Sequence, residues 1–236
     1  MAHRERMSEE HERKEAMTEN LKSAPGGEWI DALEIGALGP ADAGVAVDLL
    51  SRGMRDNPLH VAVFGEDPER RQRRLRRVFA GAFDAMGWQT NMLAARDADG
   101  TILGLCGAMP PGGCQLELGQ QLRLMPRMFA NGPGVALRTV RWLGVWGKRD
   151  PEGRHWHLGP VAVDAHLQGR GVGSRLMEVF CARVDAAGDD AYLETDKPAN
   201  VSFYERFGFE VVGEQEVLGV PNWFMSRTAR VKGASG

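Results

Sequence analysis

The sequence predicts an α/β protein of the α+β kind, with about seven strands flanked by helices, and three observations carry that prediction. An apolar run at 155–163, a glycine-rich turn, an amphipathic stretch and another short apolar run at 191–195 make a strand–helix–strand unit. Two short β-prone runs around Asp97-Ala98-Asp99-Gly100 make a hairpin. Four further stretches have helical spacing, two before the hairpin's strands and two after them.

Taken in order, residues 1–24 are dominated by Glu, Arg, Lys and His, with almost no large apolar side chain. Such a segment cannot bury enough surface to offset its ordering entropy, so a frayed or disordered tail is expected, with one domain over 25–236. Pro25-Gly26-Gly27 marks the boundary. Trp29 to Leu38 is predicted as a short strand, and Ala41 to Arg55 as a helix with Val45, Leu49 and Leu50 on one face. Asp67-Pro68 supplies a cap and a first-turn proline for a helix to Met86, whose core face is Leu75, Val78, Phe79, Ala82, Phe83 and Met86. This helix also carries six arginines in eight residues, Arg70 to Arg77. With no aromatics between them and a net charge of −3, they read as a solvated face, a role near a cofactor phosphate remaining open.

The hairpin strands are expected at Asn91–Arg96 and Thr101–Met109. Leu116–Ala130 and Val135–Lys148 then form a helical insertion within 114–150, separated by Asn131-Gly132-Pro133-Gly134 and rich in Leu, Met and Trp. The insertion is expected to pack its apolar face on the core, and as an inserted connection it can wall a substrate pocket. His155–Val163 is a strand, Ser174–Asp185 a helix, Ala191–Thr195 a strand and Asn200–Phe207 a short helix. Phe209–Glu216 and Trp223–Arg227 close the chain as strands.

Composition narrows the function. The chain has 236 residues, 43% hydrophobic and 26% charged, ordinary for a soluble globular protein. The small negative charge gives no pull toward nucleic acid or an anionic membrane, and no apolar run reaches the roughly 18 residues of a membrane helix. Cys106, Cys114 and Cys181 have neither CxxC spacing nor a surrounding His cluster, so they read as reduced thiols and no metal is expected. With no apolar leader at the N-terminus, a cytoplasmic location is expected.

The sharpest signal is Gln168-Gly169-Arg170-Gly171-Val172-Gly173, between a strand and a helix whose core face is Val172, Leu176, Val179 or Phe180, and Val184. Glycines let several consecutive N–H groups converge, and a helix N-terminus adds about half a unit of positive charge, so a phosphate is expected there. A Walker loop is absent, and a dinucleotide fingerprint fails because its third glycine falls at Ser174.

Gln168 to Gly173, preceded by Leu158-Gly159-Pro160-Val161-Ala162-Val163, resembles the pyrophosphate-binding motif of the GNAT superfamily of N-acetyltransferases. Leu193-Glu194-Thr195, Asn200 and Phe203-Tyr204-Glu205-Arg206-Phe207-Gly208-Phe209 resemble that family's second motif, and the likeness covers residues 155–227. It implies a central mixed, mostly antiparallel twisted sheet with the helical insertion before the fourth main strand, and acetyl-CoA as co-substrate. It also implies that the main chain around Val161, Ala162 and Val163 pairs with the pantetheine arm. Gln168, Gly169, Arg170, Gly171, Val172, Gly173 and Ser174 would hold the pyrophosphate, and Asn200 the cofactor arm. Pro160, lacking an N–H, suits either a local opening of the sheet or a bulge.

Acetyl transfer needs a polarised thioester, a neutral amine and a proton for the departing thiolate. A backbone N–H near Val161 would stabilise charge on the thioester oxygen. Tyr204 is the leading acid, since a phenol near pH 10 can lend a proton to a thiolate near 8.5. Glu194 is the candidate base, with His155 and His157 as alternatives on one side of their strand. The resemblance points to direct transfer onto a primary amine of a small molecule, with no nucleic-acid or membrane partner and a homodimer left open. Acetylation of a protein N-terminus or lysine, and a non-catalytic acyl-CoA sensor, are the alternatives.

Overall fold

A computed structural model of the protein describes residues 28–87, 91–113 and 118–230; the charged segment 1–24, its Pro25-Gly26-Gly27 boundary and Cys114 lie outside them. The first element is not one strand from Trp29 to Leu38. It is a helical turn, α1 (Glu28–Asp31), followed by β1 (Glu34–Ala37). The Leu33 N–H donates to the Ile30 carbonyl at 3.2 Å, and the turn sets Ile30 against Gly171, where an added Cβ would lie 3.4 Å from Ile30 Cδ1. Tertiary packing overrides the local pattern here.

Helix α2 (Ala43–Gly53) follows a 3-10 turn at Pro40–Asp42. A short helix that the sequence reading did not anticipate, α3 (Pro58–Phe64), begins with proline at its first position, where the missing N–H costs nothing. Helix α4 (Pro68–Met86) starts as expected: the Asp67 carboxylate accepts from the N–H groups of Glu69 and Arg70 at 3.0 and 3.1 Å. Gly87, with φ of 60°, closes it in the left-handed conformation. Strands β2 (Met92–Arg96) and β3 (Ile102–Met109) form the hairpin, whose turn is tied by Asp97 Oδ1 accepting from the N–H groups of Asp99 and Thr101. The insertion comprises α5 (Leu118–Phe129) and α6 (Pro133–Gly147). Then come β4 (His155–Val163), α7 (Val172–Ala187), β5 (Asp190–Thr195), α8 (Pro198–Glu205), β6 (Glu210–Val217) and β7 (Val220–Arg227).

The seven strands make one sheet in the order β1-β2-β3-β4-β5-β7-β6, antiparallel throughout except between β4 and β5. The parallel pair is forced by the α7 crossover. One core lies on the α7 face, with Leu93, Leu103, Cys106, Leu158, Leu176, Phe180, Leu193 and Met225 buried together. The other lies under α2, α3 and α4, with Leu49, Leu50, Phe64, Leu75, Phe79, Leu105 and Ala162. Among the described residues no helix is long and apolar enough to cross a membrane.

What positions the site is the joint between β4 and β5. They pair at His155↔Asp190, Trp156↔Ala191 and His157↔Tyr192, and from Leu158 onward β4 has no strand partner on that side among the described residues. On its other side β4 bulges: Cys106 pairs with Val161 and Ala108 with Leu158, so Gly159 and Pro160 together face Gly107. Only glycine fits at 107, because a Cβ there would lie 2.1 Å from the Gly159 carbonyl oxygen. The Gly159–Pro160 bond is cis. Pro160 therefore sits both in a bulge and on a freed edge, the two roles its sequence position suggested.

Candidate functional site

Beyond β4 the chain turns sharply. The Asp164 N–H donates to the Leu103 carbonyl at 2.9 Å and the Leu167 N–H to Asp164 at 2.9 Å, with Leu167 buried beneath the turn. Gly169 and Gly171 have φ of 76° and 100°, a region closed to most side chains. Gly171 is the N-cap of α7, and no side chain caps that helix. The N–H groups of Val172, Gly173 and Ser174 therefore stand at the positive end of a 16-residue helix without intrahelical acceptors. Gln168 Nε2 donates back to the Val163 carbonyl at 3.2 Å, latching the turn to the strand, and Arg170 is half-buried beside it. A Cβ on Gly173 would meet Phe203 at 3.5 Å and Val163 at 3.7 Å, so that position faces the gap between β4 and α8. The sequence-predicted phosphate residues thus converge on one helix end at the mouth of the splay.

Val161 and Val163 pack toward the α7 core, and Ala162 toward the opposite face, where a Cβ on Gly53 would approach its own at 3.1 Å. Across the gap, Asn200 Nδ2 donates to Thr195 Oγ1 at 3.1 Å. Asn200 is not the cap of α8; that position is Lys197, and Asn200 lies in the first turn. Tyr204 is buried, its ring edge-on to Phe203 and Phe209 at 5.2 and 6.0 Å. Burial pushes its phenol well above the usual range, with smaller contributions from Cys106 and Asp196, so it stays protonated at any working pH. The Cys106 thiol is likewise pushed up by burial and remains neutral.

At the apex of the splay the structure joins the candidate bases that the sequence left as alternatives. His157 Nε2 lies 2.9 Å from Glu194 Oε2, whose side chain is only 4% exposed. Asp150 Oδ1 lies 3.1 Å from His155 Nε2 and 3.5 Å from His157 Nδ1, and His155 Nδ1 lies 2.7 Å from the Gly153 carbonyl. The result is a continuous chain from Glu194 through His157 and Asp150 to His155. Burial raises the Asp150 carboxyl, but hydrogen bonds and charge from His157 and His155 outweigh it and hold the group below its ordinary value. Tyr192 packs edge-on against both histidines at 5.7 and 5.8 Å. Asp150 escaped the sequence reading; its only signal was an acid just before the His155-Trp156-His157 strand. Asp150, His155 and His157 also place three donor atoms within 4.8 Å of one another, a set that could hold a metal ion.

Helices α3 and α6 flank this face. The Leu59 N–H donates to Asp196 Oδ2 at 2.7 Å, fastening α3 to the end of β5. Buried His60 lies edge-on to Trp142 at 5.5 Å, its Nδ1 lies 2.7 Å from the Met54 carbonyl, and burial lowers its pKa. Trp142 packs on Trp146 at 5.0 Å, and Trp146 Nε1 donates to Asn222 Oδ1 at 3.1 Å. Trp142 Nε1 and the Tyr192 hydroxyl are buried without a hydrogen-bond partner among the described residues. The arginines of α4 are elsewhere: four of them line a separate cavity that shares no residue with the glycine turn.

Comparison with known proteins agrees with this architecture. The acetyltransferase (GNAT) family is matched over residues 64–209. A mycothiol acetyltransferase of Brachybacterium faecium is 33% identical over 106 residues, which are 42% of this chain and 32% of that protein. The match thus spans about a third of that relative's length. A structure from Corynebacterium glutamicum, described as a histone acetyltransferase and related acetyltransferase, shares the fold with a TM-score of 0.63 at 22% identity, covering 86% of this chain and 99% of that one. A phosphinothricin acetyltransferase from Sinorhizobium meliloti, in complex with acetyl-CoA, shares it with a TM-score of 0.51 at 16% identity, covering 87% and 92%.

Proposed function

This chain belongs to the acetyltransferase (GNAT) family, and on that premise we propose that it transfers the acetyl group of acetyl-CoA directly to a primary amine of a small molecule. The observation that carries this reading is the meeting of three features at one gap: an uncapped helix N-terminus, a freed edge of β4 and the Glu194–His157 pair. The N–H groups of Gly169 and of Gly171 to Ser174 hold the pyrophosphate, while the Arg170 N–H is given to the Leu167 carbonyl at 3.2 Å and its side chain adds charge beside them. The main chain of Val161 to Val163 pairs with the pantetheine arm as an added strand would, and Asn200 closes the other side.

Acetyl-CoA supplies an acetyl group already activated as a thioester. The chain's own residues do the rest. A backbone N–H near Val161 faces the carbonyl oxygen and stabilises negative charge developing there. Glu194 and His157 accept the proton that the attacking amine loses, and Asp150 and His155 spread the resulting charge along the chain. Tyr204, kept protonated by burial, stabilises the departing thiolate by donating a hydrogen bond to it, and the proton that completes the thiol comes from solvent.

Two features support a small acceptor. The α6 tryptophans and α3 are fastened over the β5 and β7 side of the sheet. The buried donors Trp142 Nε1 and Tyr192 Oη each forgo about 1–3 kcal/mol unless an acceptor group reaches them, and a polar amine can supply one. The relatives named for mycothiol and phosphinothricin are in keeping with this. Residues 25–236 then form one acetyltransferase domain with the α5–α6 insertion. The test is an amine panel with acetyl-CoA, followed by release of free thiol: a small-molecule amine is turned over, and peptides with free N-termini or lysines are not. Tight acetyl-CoA binding with no turnover of any amine would instead indicate a sensor.

A further inference from the structure

Helix α4 uses its arginines unequally. Arg71 is buried and bonded to the Asp56 carboxylate at 2.7 Å and to the carbonyls of Arg55, Gly65 and Glu66; Arg76 pairs with Asp48 at 2.9 Å. Arg70, Arg73, Arg74 and Arg77 have no ion pair among the described residues. They line a cavity of about 490 Å³ together with Asn131 and Gly132. Asn131 is buried and fixes the cavity floor: its Oδ1 accepts from Arg77 Nη1 at 3.3 Å and its Nδ2 donates to the Arg74 carbonyl at 3.4 Å. Gly132 is the N-cap of α6, a 15-residue helix that no side chain caps, so its positive end adds to the same wall. The Arg74 guanidinium has its proton affinity lowered by burial first, and then by the charges of Arg70, Arg138 and Arg77. Asp67 at the start of α4 offsets part of this charge; the like charges that remain around a concave space are costly alone, and a bound anion lowers that cost.

We propose that this cavity is a second binding site, distinct from the glycine turn, for a small multivalent oxyanion carrying phosphate or carboxylate groups. Its volume is that of a small-ligand pocket, not of an extended groove. Among the described residues no aromatic side chain lines it to stack a base, and the protein's net charge is negative, so a nucleic-acid strand fits it poorly. An occupant braces α4 against the start of α6. Arg138 of α6 already donates to the Val63 carbonyl of α3 at 2.8 Å, so the site is coupled through α6 to Trp142. The proposal does not depend on the acetyl-CoA reading.

The test is calorimetry on the full chain at fixed ionic strength, with tripolyphosphate and citrate as probes, with and without saturating CoA. The Arg70→Gln/Arg73→Gln variant removes two exposed charges and leaves intact the Arg74 and Arg77 bonds that hold the fold. Binding of either anion at one equivalent, undisturbed by CoA and weakened about tenfold or more in the variant, supports the proposal; the tighter probe identifies phosphate or carboxylate as the source. Displacement by CoA, or equal affinity in the variant, overturns it. So does binding of a twenty-nucleotide RNA about a hundredfold tighter than either probe, which would make the surface a nucleic-acid face.

Discussion

Glu194→Gln is the perturbation that tests the proposed proton relay. The carboxylate oxygen lies 2.9 Å from His157 Nε2 and its side chain is almost fully buried, so glutamine keeps the shape and a hydrogen bond but loses the charge. Two unit charges at that separation attract by about 6 kcal/mol at an effective dielectric constant of about 20. Asp150 faces the other ring nitrogen at 3.5 Å in wild type and variant alike and cancels, so the variant recovers only the retained hydrogen bond, about 1 kcal/mol. About 5 kcal/mol is lost for a fully charged ring; with the amine's proton about halfway across in the transition state, roughly 2.5 kcal/mol of this is felt, or about a hundredfold in kcat/KM. The assay is kcat/KM for the acceptor amine across pH, with acetyl-CoA affinity measured separately by calorimetry. Activity should fall about a hundredfold with acetyl-CoA binding unchanged. A loss of less than about threefold across the pH range would show that the pair does not carry the proton.

Tyr204→Phe should lower kcat at least about tenfold while leaving acetyl-CoA affinity unchanged if the buried phenol, as proposed, gives a hydrogen bond to the leaving thiolate and little to binding. Steady-state kinetics beside a binding isotherm separates these outcomes. Gly107→Ala should destabilise the fold by about 3 kcal/mol or more, seen as a fall in Tm of about 6 °C or more, since its Cβ would collide with the Gly159 backbone. Arg227→Gln should cost about 2 kcal/mol in denaturant unfolding, because the nearly buried guanidinium bonds both Asp185 oxygens at 2.8 Å and the Phe207 carbonyl. The hydrogen bond from Arg227 outweighs burial and depresses the Asp185 carboxyl, so this stabilisation is complete above the unfolded carboxylate value of about 3.9. It fades as pH falls through the lower folded value, and the difference between wild type and variant should shrink there.

Much of the fold was legible because local signals were strong. Asp67-Pro68 and Gly87 bound α4 as caps should, and the Asp97 turn set the hairpin. The glycine turn was readable because φ of 76° and 100° leaves little choice of residue. Helix α3 was missed because Pro58–Phe64 is short and nearly all apolar, with no period to separate helix from strand, and its N-terminus is held by distant Asp196. The split of Trp29–Leu38 into α1 and β1 depends on Ile30 meeting Gly171, a contact no local window contains. Alternation placed His155 with His157, and Tyr192 with Glu194. What alternation could not supply was the register His157↔Tyr192, which brings two separate pairs, and Asp150 with them, into one cluster.

The central claim is that the amide groups at the start of α7 clasp the diphosphate of acetyl-CoA, and the most direct measurement compares that ligand with S-acetylpantetheine, which lacks the diphosphate. Calorimetry should find acetyl-CoA bound at least about a hundredfold more tightly, an advantage largely erased by Gly171→Val, where φ is 100° and an added Cβ would lie 3.4 Å from Ile30 Cδ1. Equal affinity for the two ligands, or an undiminished advantage in the Gly171 variant, would contradict it.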